Sequence, residues 1–402
     1  MKGHRARWAV LAAALLALPA CGAAAEEAGT AGADDAPYVI MVSAGSDAGP
    51  VTDQLITGVN SVKAGVATVN ESGGVNGRQI KLIESPDNAN PTKAVSGLRA
   101  QLAKEKPDAY IVTAGTQVSS AVAPILNQNK ILFMNSANID DTADPKQHPL
   151  AFNLAASPRV VVEDYLPVFE SNGYKKIGIL HGNSPYAKNF GELSETVFKE
   201  NGYEVVGKVE YDSAALDMTA QISALRDADP DVVVFNAYGA PTGYVLKGIT
   251  KLGWDVPLLG ETSVASTPLV TQEPPEGLLG SAEVKNLKIE VNAATVYDPA
   301  AEATNKAVAK MKELGGIKGA MVNVLGYDGV LLIAAGAKDA GSTDAAAIAK
   351  SLEKPEVNGN AGTAVYASYP YSAESHEPKL ARGTHTFVDP APIVNGQMGA
   401  SK

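Results

Sequence analysis

Cysteine is nearly absent from the 402-residue sequence, which contains only Cys21. No disulfide can therefore form within the chain. Aromatic residues are also scarce, at 6% of the composition, whereas alanine and glycine are abundant. The folded state has to be stabilised by a packed core, and the chain is long enough for two domains of ordinary size.

Positive charge is also in short supply, with 33 lysine and arginine residues against 44 aspartate and glutamate residues. The formal net charge of −11 argues against a nucleic-acid partner, because phosphate recognition requires a basic surface. No apolar run after Leu18 is long enough to cross a bilayer as a helix.

Sequence signatures of enzymes and metal sites are missing as well. Residues 45–49 (GSDAG) lack the spacing of a G-x-S-x-G nucleophile elbow. Gly243 and Gly248 have the spacing of a phosphate-binding loop, but Ile249 occupies the position that requires lysine. The five histidines are isolated in the sequence, at positions 4, 148, 181, 376 and 385. We therefore expect no catalytic residue, no metal site and no cofactor.

The first residues have the pattern of a bacterial export signal. Three basic residues precede an apolar stretch from Trp8 to Leu18, and the stretch ends at Leu18-Pro19-Ala20-Cys21. This ending resembles the lipobox of bacterial lipoproteins, which implies cleavage before Cys21 and a lipid on its sulfur. The alternative is an ordinary secretory signal with a chance cysteine. Residues 22–37 are small and acidic without apolar periodicity, which is typical of a flexible tether.

Short apolar runs alternate with helical segments from Tyr38 onwards. Runs such as YVIMVS (38–43) and DVVVFN (231–236) are apolar throughout, which is typical of parallel strands buried on both faces. The alternation predicts right-handed strand–helix–strand units. It restarts with a helix at Pro158, so we predict an α/β fold of two similar lobes with a cleft between them.

Three segments of the second half are less regular. We expect one helix over residues 158–172, a short strand over 278–282, and a β-rich end over 363–388 that Pro370 and Pro378 interrupt.

Two loops of the first half follow predicted strands and are rich in small polar residues. They contain Gly115 and Thr116 after one strand, and Ala137 and Asn138 after the next. Backbone N–H groups and hydroxyls at helix N-termini can bind an anion such as a carboxylate. The alternative is that these residues are ordinary turns and helix caps.

The strand-end loops of the second half offer larger side chains. Tyr186 and Tyr238 each present an apolar ring with a polar tip, and Glu261 is a partner for a ligand cation. The alternative for each of them is ordinary packing or a solvated surface.

Several motifs resemble the periplasmic leucine-binding-protein family, the type I solute-binding proteins of branched-chain amino-acid ABC importers. They are Gly49-Pro50 before a long helix that runs into residues 70–78, residues 86–95 (PDNANPTKAV), residues 183–187 (NSPYA), and residues 325–329 (LGYDG). In order and spacing they extend the resemblance over about Tyr38 to Asp389.

The resemblance implies two Rossmann-like lobes, each with a parallel sheet, joined by a three-crossover hinge that traps the ligand. We accordingly expect a signal peptide (1–20), a tether (21–37), an N-terminal lobe (38–157 and 284–353) and a C-terminal lobe (158–283 and 354–395).

The resemblance also implies a ligand site. Its contacts with the ligand carboxylate correspond to Gly115, Thr116, Ala137 and Asn138, and its second-lobe aromatic residues correspond to Tyr186 and Tyr238.

One position departs from the family. Its acidic partner for the ligand α-ammonium aligns with Thr262, next to Glu261. An unpaired buried ammonium would be costly, so either Glu261 takes over this role or the ligand is not an α-amino acid.

The function that these features imply is a monomeric, lipid-anchored receptor on the extracytoplasmic face of the bacterial membrane. It would capture an amino acid or a related carboxylate or amide and deliver it to ABC permease subunits. The first alternative is a sensing lipoprotein that acts through a membrane receptor without transport. The second alternative is a lipoprotein enzyme, which the missing catalytic signatures disfavour.

Overall fold

A computed structural model describes residues 36–45, 52–113, 115–136, 140–318, 324–394 and 396–399. The predicted signal peptide, Cys21, Ala137 and Asn138 lie outside the described residues, as does nearly all of the tether. Within the described part of the chain, no helix combines the length and apolar character needed to cross a membrane.

The first sheet has five parallel strands in the order β2-β1-β3-β4-β5. The strands are β1 (Tyr38–Ala44), β2 (Ile80–Pro86), β3 (Ala109–Val112), β4 (Leu132–Asn135) and β5 (Ala151–Asn153). The helices between them are α1 (Thr52–Glu71), α2 (Pro91–Leu102), α3 (Thr116–Gln128) and α4 (Asp140–Ala143). All seven residues of β1 are buried, because apolar side chains cover both faces of this central strand.

The second sheet has six strands in the order β11-β10-β9-β8-β6-β7. The strands are β6 (Lys176–Gly182), β7 (Glu204–Tyr211), β8 (Val232–Phe235), β9 (Leu258–Gly260), β10 (Leu287–Asn292) and β11 (His385–Val388). Their helices are α5 (Pro158–Glu163), α6 (Tyr165–Asn172), α7 (Pro185–Glu200), α8 (Thr219–Asp227) and α9 (Ala240–Lys251). The pairs are parallel except at the edge, where β11 runs antiparallel to β10.

The late helices pack mainly against the first sheet. They are α10 (Glu302–Glu313), α11 (Leu325–Ala340), α12 (Ala345–Leu352) and α13 (Pro355–Asn358). Helix α11 contributes Val330, Leu332 and Ile333 to the same core cluster as the side chains of β1. A final antiparallel pair joins β12 (Ile393–Val394) and β13 (Gln397–Met398).

The chain passes between the two sheets three times. It passes from β5 to β6 through residues 154–175, from β10 to the late helices through residues 293–301, and back to β11 through residues 371–384. These three connections define two lobes, each built around one sheet.

The predicted class of fold agrees with this architecture, but several local predictions were wrong. Residues 278–282 form no strand, and a 3-10 helix follows at Ala282–Val284. Strand β10 was missed, and it pairs with β9 although residues 284–353 were expected in the first lobe. Its polar residues, including Lys288 and Glu290, interrupt the apolar run that would have marked it.

Two further differences concern the connections. The expected helix over 158–172 ends at Glu163, and a second helix begins at Tyr165. The expected β-rich end forms a regular strand only at β11. Tyr366, Tyr369 and Tyr371 fill the core of the first lobe, although residues 354–395 were expected in the C-terminal lobe. Their rings contact one another, so side-chain packing rather than strand pairing stabilises this segment.

Asp328 on α11 ties this irregular segment to the first lobe. Its carboxylate accepts hydrogen bonds from the backbone N–H groups of Ala364 (2.6 Å) and Val365 (3.0 Å) and from the Tyr369 hydroxyl (2.5 Å). Complete burial raises the pKa of Asp328 to about 6. Because the folded state raises this pKa, ionisation of Asp328 costs stability as the pH rises through about 6.

We predict that Asp328→Asn lowers the free energy of unfolding by about 1–3 kcal/mol at pH 7.5, because the new amide group would face a backbone N–H donor. Urea unfolding measures the change. The matched control is Asp339→Asn on the same helix, which removes an exposed ion pair with Lys354 and should leave the free energy of unfolding nearly unchanged. Equal losses in the two variants would contradict the role given to Asp328.

Candidate functional site

Three side chains named from the sequence lie together at one edge of the second sheet. Tyr186 is in the first turn of α7, which follows β6, and Glu261 and Thr262 follow β9 directly. Parallel strands end at the same edge of a sheet, and ligands of open α/β sheets bind there. The structure therefore brings Tyr186, Glu261 and Thr262 into direct contact.

The Glu261 carboxylate is the centre of this group, and the residue is fully buried. One of its oxygens accepts hydrogen bonds from the Tyr186 hydroxyl (2.7 Å) and the Thr262 hydroxyl. The other accepts from the Asn236 amide (2.8 Å), the Ser263 backbone N–H (3.0 Å) and the Ser263 hydroxyl. We call these five residues the Glu261 network.

The Glu261 network leaves its carboxylate saturated, since a carboxylate has about four lone-pair sites and here meets five donors. The hydroxyls of Tyr186 and Thr262 each commit their proton to Glu261, so their remaining lone pairs can only accept. The pKa of Tyr186 is raised well above its usual range by burial of the hydroxyl and by the adjacent Glu261 charge, although 41% of the residue is exposed. The network thus presents hydroxyl oxygens as hydrogen-bond acceptors.

Tyr238 links the two lobes beside this site. It follows β8, and its hydroxyl donates a hydrogen bond to the Gln54 side chain on α1, which belongs to the first lobe. Tyr238 is half-buried, as expected for a side chain at the face between two lobes.

Gly115 and Thr116 lie on the first lobe, where β3 leads into α3. Gly115 precedes the helix with φ of 91°, a conformation that favours glycine, and no side chain caps the helix. The start of α9 after Tyr238 is similar, with Gly239 at φ of 67° and no side-chain cap. Both helix starts expose N–H groups that can bind an anion.

A buried polar network of the first lobe joins the start of α3 to β4 and β5. The Asn135 amide oxygen at the end of β4 accepts from the Ser119 hydroxyl on α3 (2.7 Å), and its nitrogen donates to Asn153 on β5 (3.2 Å). The adjacent Ser136 hydroxyl is buried and has no hydrogen-bond partner among the described residues. This arrangement fixes the start of α3 relative to the strand that leads to positions 137 and 138.

Reasoning from the sequence missed Gln54, Asn236 and Ser263. Asn236 follows β8 directly, and Ser263 lies two residues after Glu261. A rule that takes every polar residue within three positions of a strand end would have included both. Gln54 lies inside a helix and had no such signal.

Comparison with known proteins shows which protein family the chain matches. The model of the periplasmic binding protein family matches residues 42–389. The chain belongs to that family. Its resemblance to the leucine-binding proteins and its type I periplasmic-binding fold are confirmed.

Two curated relatives illustrate the similarity. The Leu/Ile/Val-binding protein homolog 3 of Brucella melitensis is 24% identical over 318 residues, which cover 75% of this chain and 81% of the relative. The leucine-, isoleucine-, valine-, threonine- and alanine-binding protein of Pseudomonas aeruginosa is 25% identical over 322 residues. These cover 76% of this chain and 80% of the relative.

Solved structures show the same fold. An extracellular ligand-binding receptor from Rhodopseudomonas palustris aligns with a TM-score of 0.72 at 18% identity, covering 91% of this chain and all of that one. A leucine-binding protein from Thermotoga maritima aligns with a TM-score of 0.63 at 19% identity, and the alignment covers 87% of this chain and 97% of that protein. Binding proteins of this family act outside the cytoplasm and bind small-molecule ligands and ABC transporter components.

We predict that Glu261→Ala lowers the free energy of unfolding by about 2–4 kcal/mol, because the Asn236 amide and the Ser263 N–H lose their acceptor in a buried place. Glu261→Gln should cost less, since the Tyr186 and Thr262 hydroxyls can turn to accept from the new amide. Urea unfolding of both variants tests this order. The exposed Glu273→Ala serves as control, and a loss in Glu261→Ala no larger than in the control would show that the Glu261 network is not formed.

Proposed function

We propose that this protein captures a small polar solute between its two lobes and delivers it to an ABC importer. The observation that carries the proposal is the hydrogen bond from Tyr238 to Gln54, which joins the lobes beside the Glu261 network. A ligand held at this position would meet the strand-end loops of both sheets, where ligands of α/β proteins bind. We further propose that it has no enzymatic activity.

We propose that the first lobe binds the carboxylate of the solute. The exposed N–H groups at the start of α3 and the Thr116 hydroxyl favour an anion. Ala137 and Asn138 are assigned to the same group by the family resemblance alone.

The second lobe favours a hydrogen-bond donor at the other end of the solute. The hydroxyl oxygens of Tyr186 and Thr262 can only accept while their protons are committed to Glu261. The negative charge of Glu261 behind them attracts an ammonium group or an amide N–H. The solute class is therefore an amino acid or a carboxylate that carries an amide, and Glu261 acts through the two hydroxyls rather than by direct contact.

We propose that Cys21 carries a lipid and that residues 22–37 tether the receptor to the extracytoplasmic face of the membrane. Support comes from the basic and apolar residues before Cys21 and from the small, acidic composition after it. An anchor of this kind would keep the receptor near its permease.

A thermal-shift screen tests the solute class. Leucine, isoleucine, valine and small amide-bearing acids are compared with analogues that lack the amine or amide. We expect at least one donor-bearing acid to stabilise the protein, by about 2.7 kcal/mol at one hundred times its Kd, and its analogue without a donor to have no effect. Stabilisation by an analogue alone would contradict the assignment of the second lobe.

Three site variants and one control locate the site once a solute is found. Thr116→Ala and Tyr238→Ala should abolish the shift, whereas Thr196→Ala on the exposed surface of α7 should keep it. Glu261→Gln should reverse the preference toward a solute that accepts hydrogen bonds, because the Tyr186 and Thr262 hydroxyls would then point their protons outward. Unchanged binding in Thr116→Ala and Tyr238→Ala would refute the interlobe site.

A further inference from the structure

Three potential metal ligands meet in the second lobe, beside the connections between the lobes. Asp164 lies in the first connection, between α5 and α6. Glu290 is on β10, just before the second connection, and His385 begins β11, just after the third. One ligand atom from each of these side chains lies within 4.8 Å of the others, and all three residues are buried.

The distances in this cluster suit a shared cation. The His385 Nδ1 atom lies 2.9 Å from an Asp164 oxygen and 3.7 Å from a Glu290 oxygen. Metal–ligand bonds of about 2.0–2.2 Å place neighbouring ligand atoms about 3–4 Å apart. Small side-chain adjustments are enough to bring all three atoms to one ion.

The environment of Glu290 is a second, independent observation that points to a cation at this cluster. The residue is fully buried, and neither carboxylate oxygen has a hydrogen-bond partner among the described residues. The buried Tyr165 hydroxyl is close enough to interact with the charge of Glu290, but it too lacks a hydrogen bond of normal geometry among the described residues. Burial and the nearby charges of Glu261 and Asp164 raise the pKa of Glu290 well above its usual range. An unpaired carboxylate in such a place is costly unless a cation or a proton neutralises it.

Unlike Glu290, the Asp164 carboxylate has several hydrogen-bond partners. It accepts hydrogen bonds from the backbone N–H groups of Gly383 and His385 as well as meeting the His385 ring. Supporting hydrogen bonds of this kind orient metal-binding carboxylates. Residues 381–383, which precede Thr384 and His385, are exposed, so a local opening of this loop would give an ion access to the cluster.

We propose that Asp164, Glu290 and His385 bind a divalent transition-metal ion such as Zn²⁺ or Mn²⁺ in the second lobe. One imidazole nitrogen and two carboxylates are the ligands that these ions accept, whereas Mg²⁺ and Ca²⁺ favour oxygen alone. Because the three ligands come from segments next to the three connections, the ion would clamp them together at the base of the hinge.

The histidine spacing in the sequence predicted no metal site, and the proposal departs from that expectation. The three ligands are far apart along the chain, and the fold alone brings them together.

The test uses untagged protein, freed of metal with a chelator and then titrated with Zn²⁺ or Mn²⁺. We expect one equivalent of metal by elemental analysis after dialysis, and a melting temperature about 3 °C higher or more at one hundred times the Kd. Glu290→Gln and His385→Asn should each lose the bound equivalent and the shift. The controls Glu374→Gln and His148→Asn change a residue of the same type outside the cluster and should keep both.

A metal-free wild-type protein after exposure to both ions would overturn the proposal, as would retention of the equivalent in both Glu290→Gln and His385→Asn. If wild type binds no metal and Glu290→Gln melts at a higher temperature, a proton rather than an ion neutralises Glu290, and the proposal is wrong. Metal binding is measured without any solute, so this result is independent of the proposed transport function.

Discussion

Buried carboxylates that accept backbone N–H groups hold the irregular segments of this protein in place. Asp328 binds residues 364 and 365, Asp164 binds residues 383 and 385, and Glu261 binds residue 263. A chain with a single cysteine has no internal disulfide to do this. Charge-assisted hydrogen bonds in a low-dielectric interior are strong, and removing one partner leaves costly unsatisfied donors. The irregular segments therefore depend on a few acidic side chains, of which Asp164 holds the connection that leads into β11.

The same chemistry extends into the proposed ligand site. Glu261 uses its bonds to orient the hydroxyls of Tyr186 and Thr262, so that a buried charge determines whether these hydroxyl oxygens donate or accept hydrogen bonds. On the other lobe, the uncapped start of α3 supplies backbone N–H groups, which are hydrogen-bond donors rather than acceptors. In the proposed function, a solute with a carboxylate at one end and a donor at the other would satisfy both, and it would do so only where the lobes meet. Capture and lobe closure are thus expected to be one equilibrium, shifted by the difference in affinity between the two states.

The sequence was sufficient to predict the class of fold, because central strands such as β1 are apolar throughout and alternate with helices. It also singled out Tyr186, Tyr238 and Glu261, which lie close to the ends of parallel strands where such residues collect at one edge, and their role as ligand contacts stays a prediction. It failed at β10, where buried Glu290 interrupts the apolar pattern. The donors to Glu261 and the meeting of Asp164, Glu290 and His385 depend on long-range packing, which local patterns do not encode.

The central claim is that a solute is captured between two lobes that close on it. Small-angle X-ray scattering of the purified protein, with and without a saturating solute from the thermal-shift screen, tests this most directly. The account predicts a smaller radius of gyration with solute, and no change for Tyr238→Ala in the same solution. An unchanged radius of gyration for the wild-type protein at saturation would contradict it.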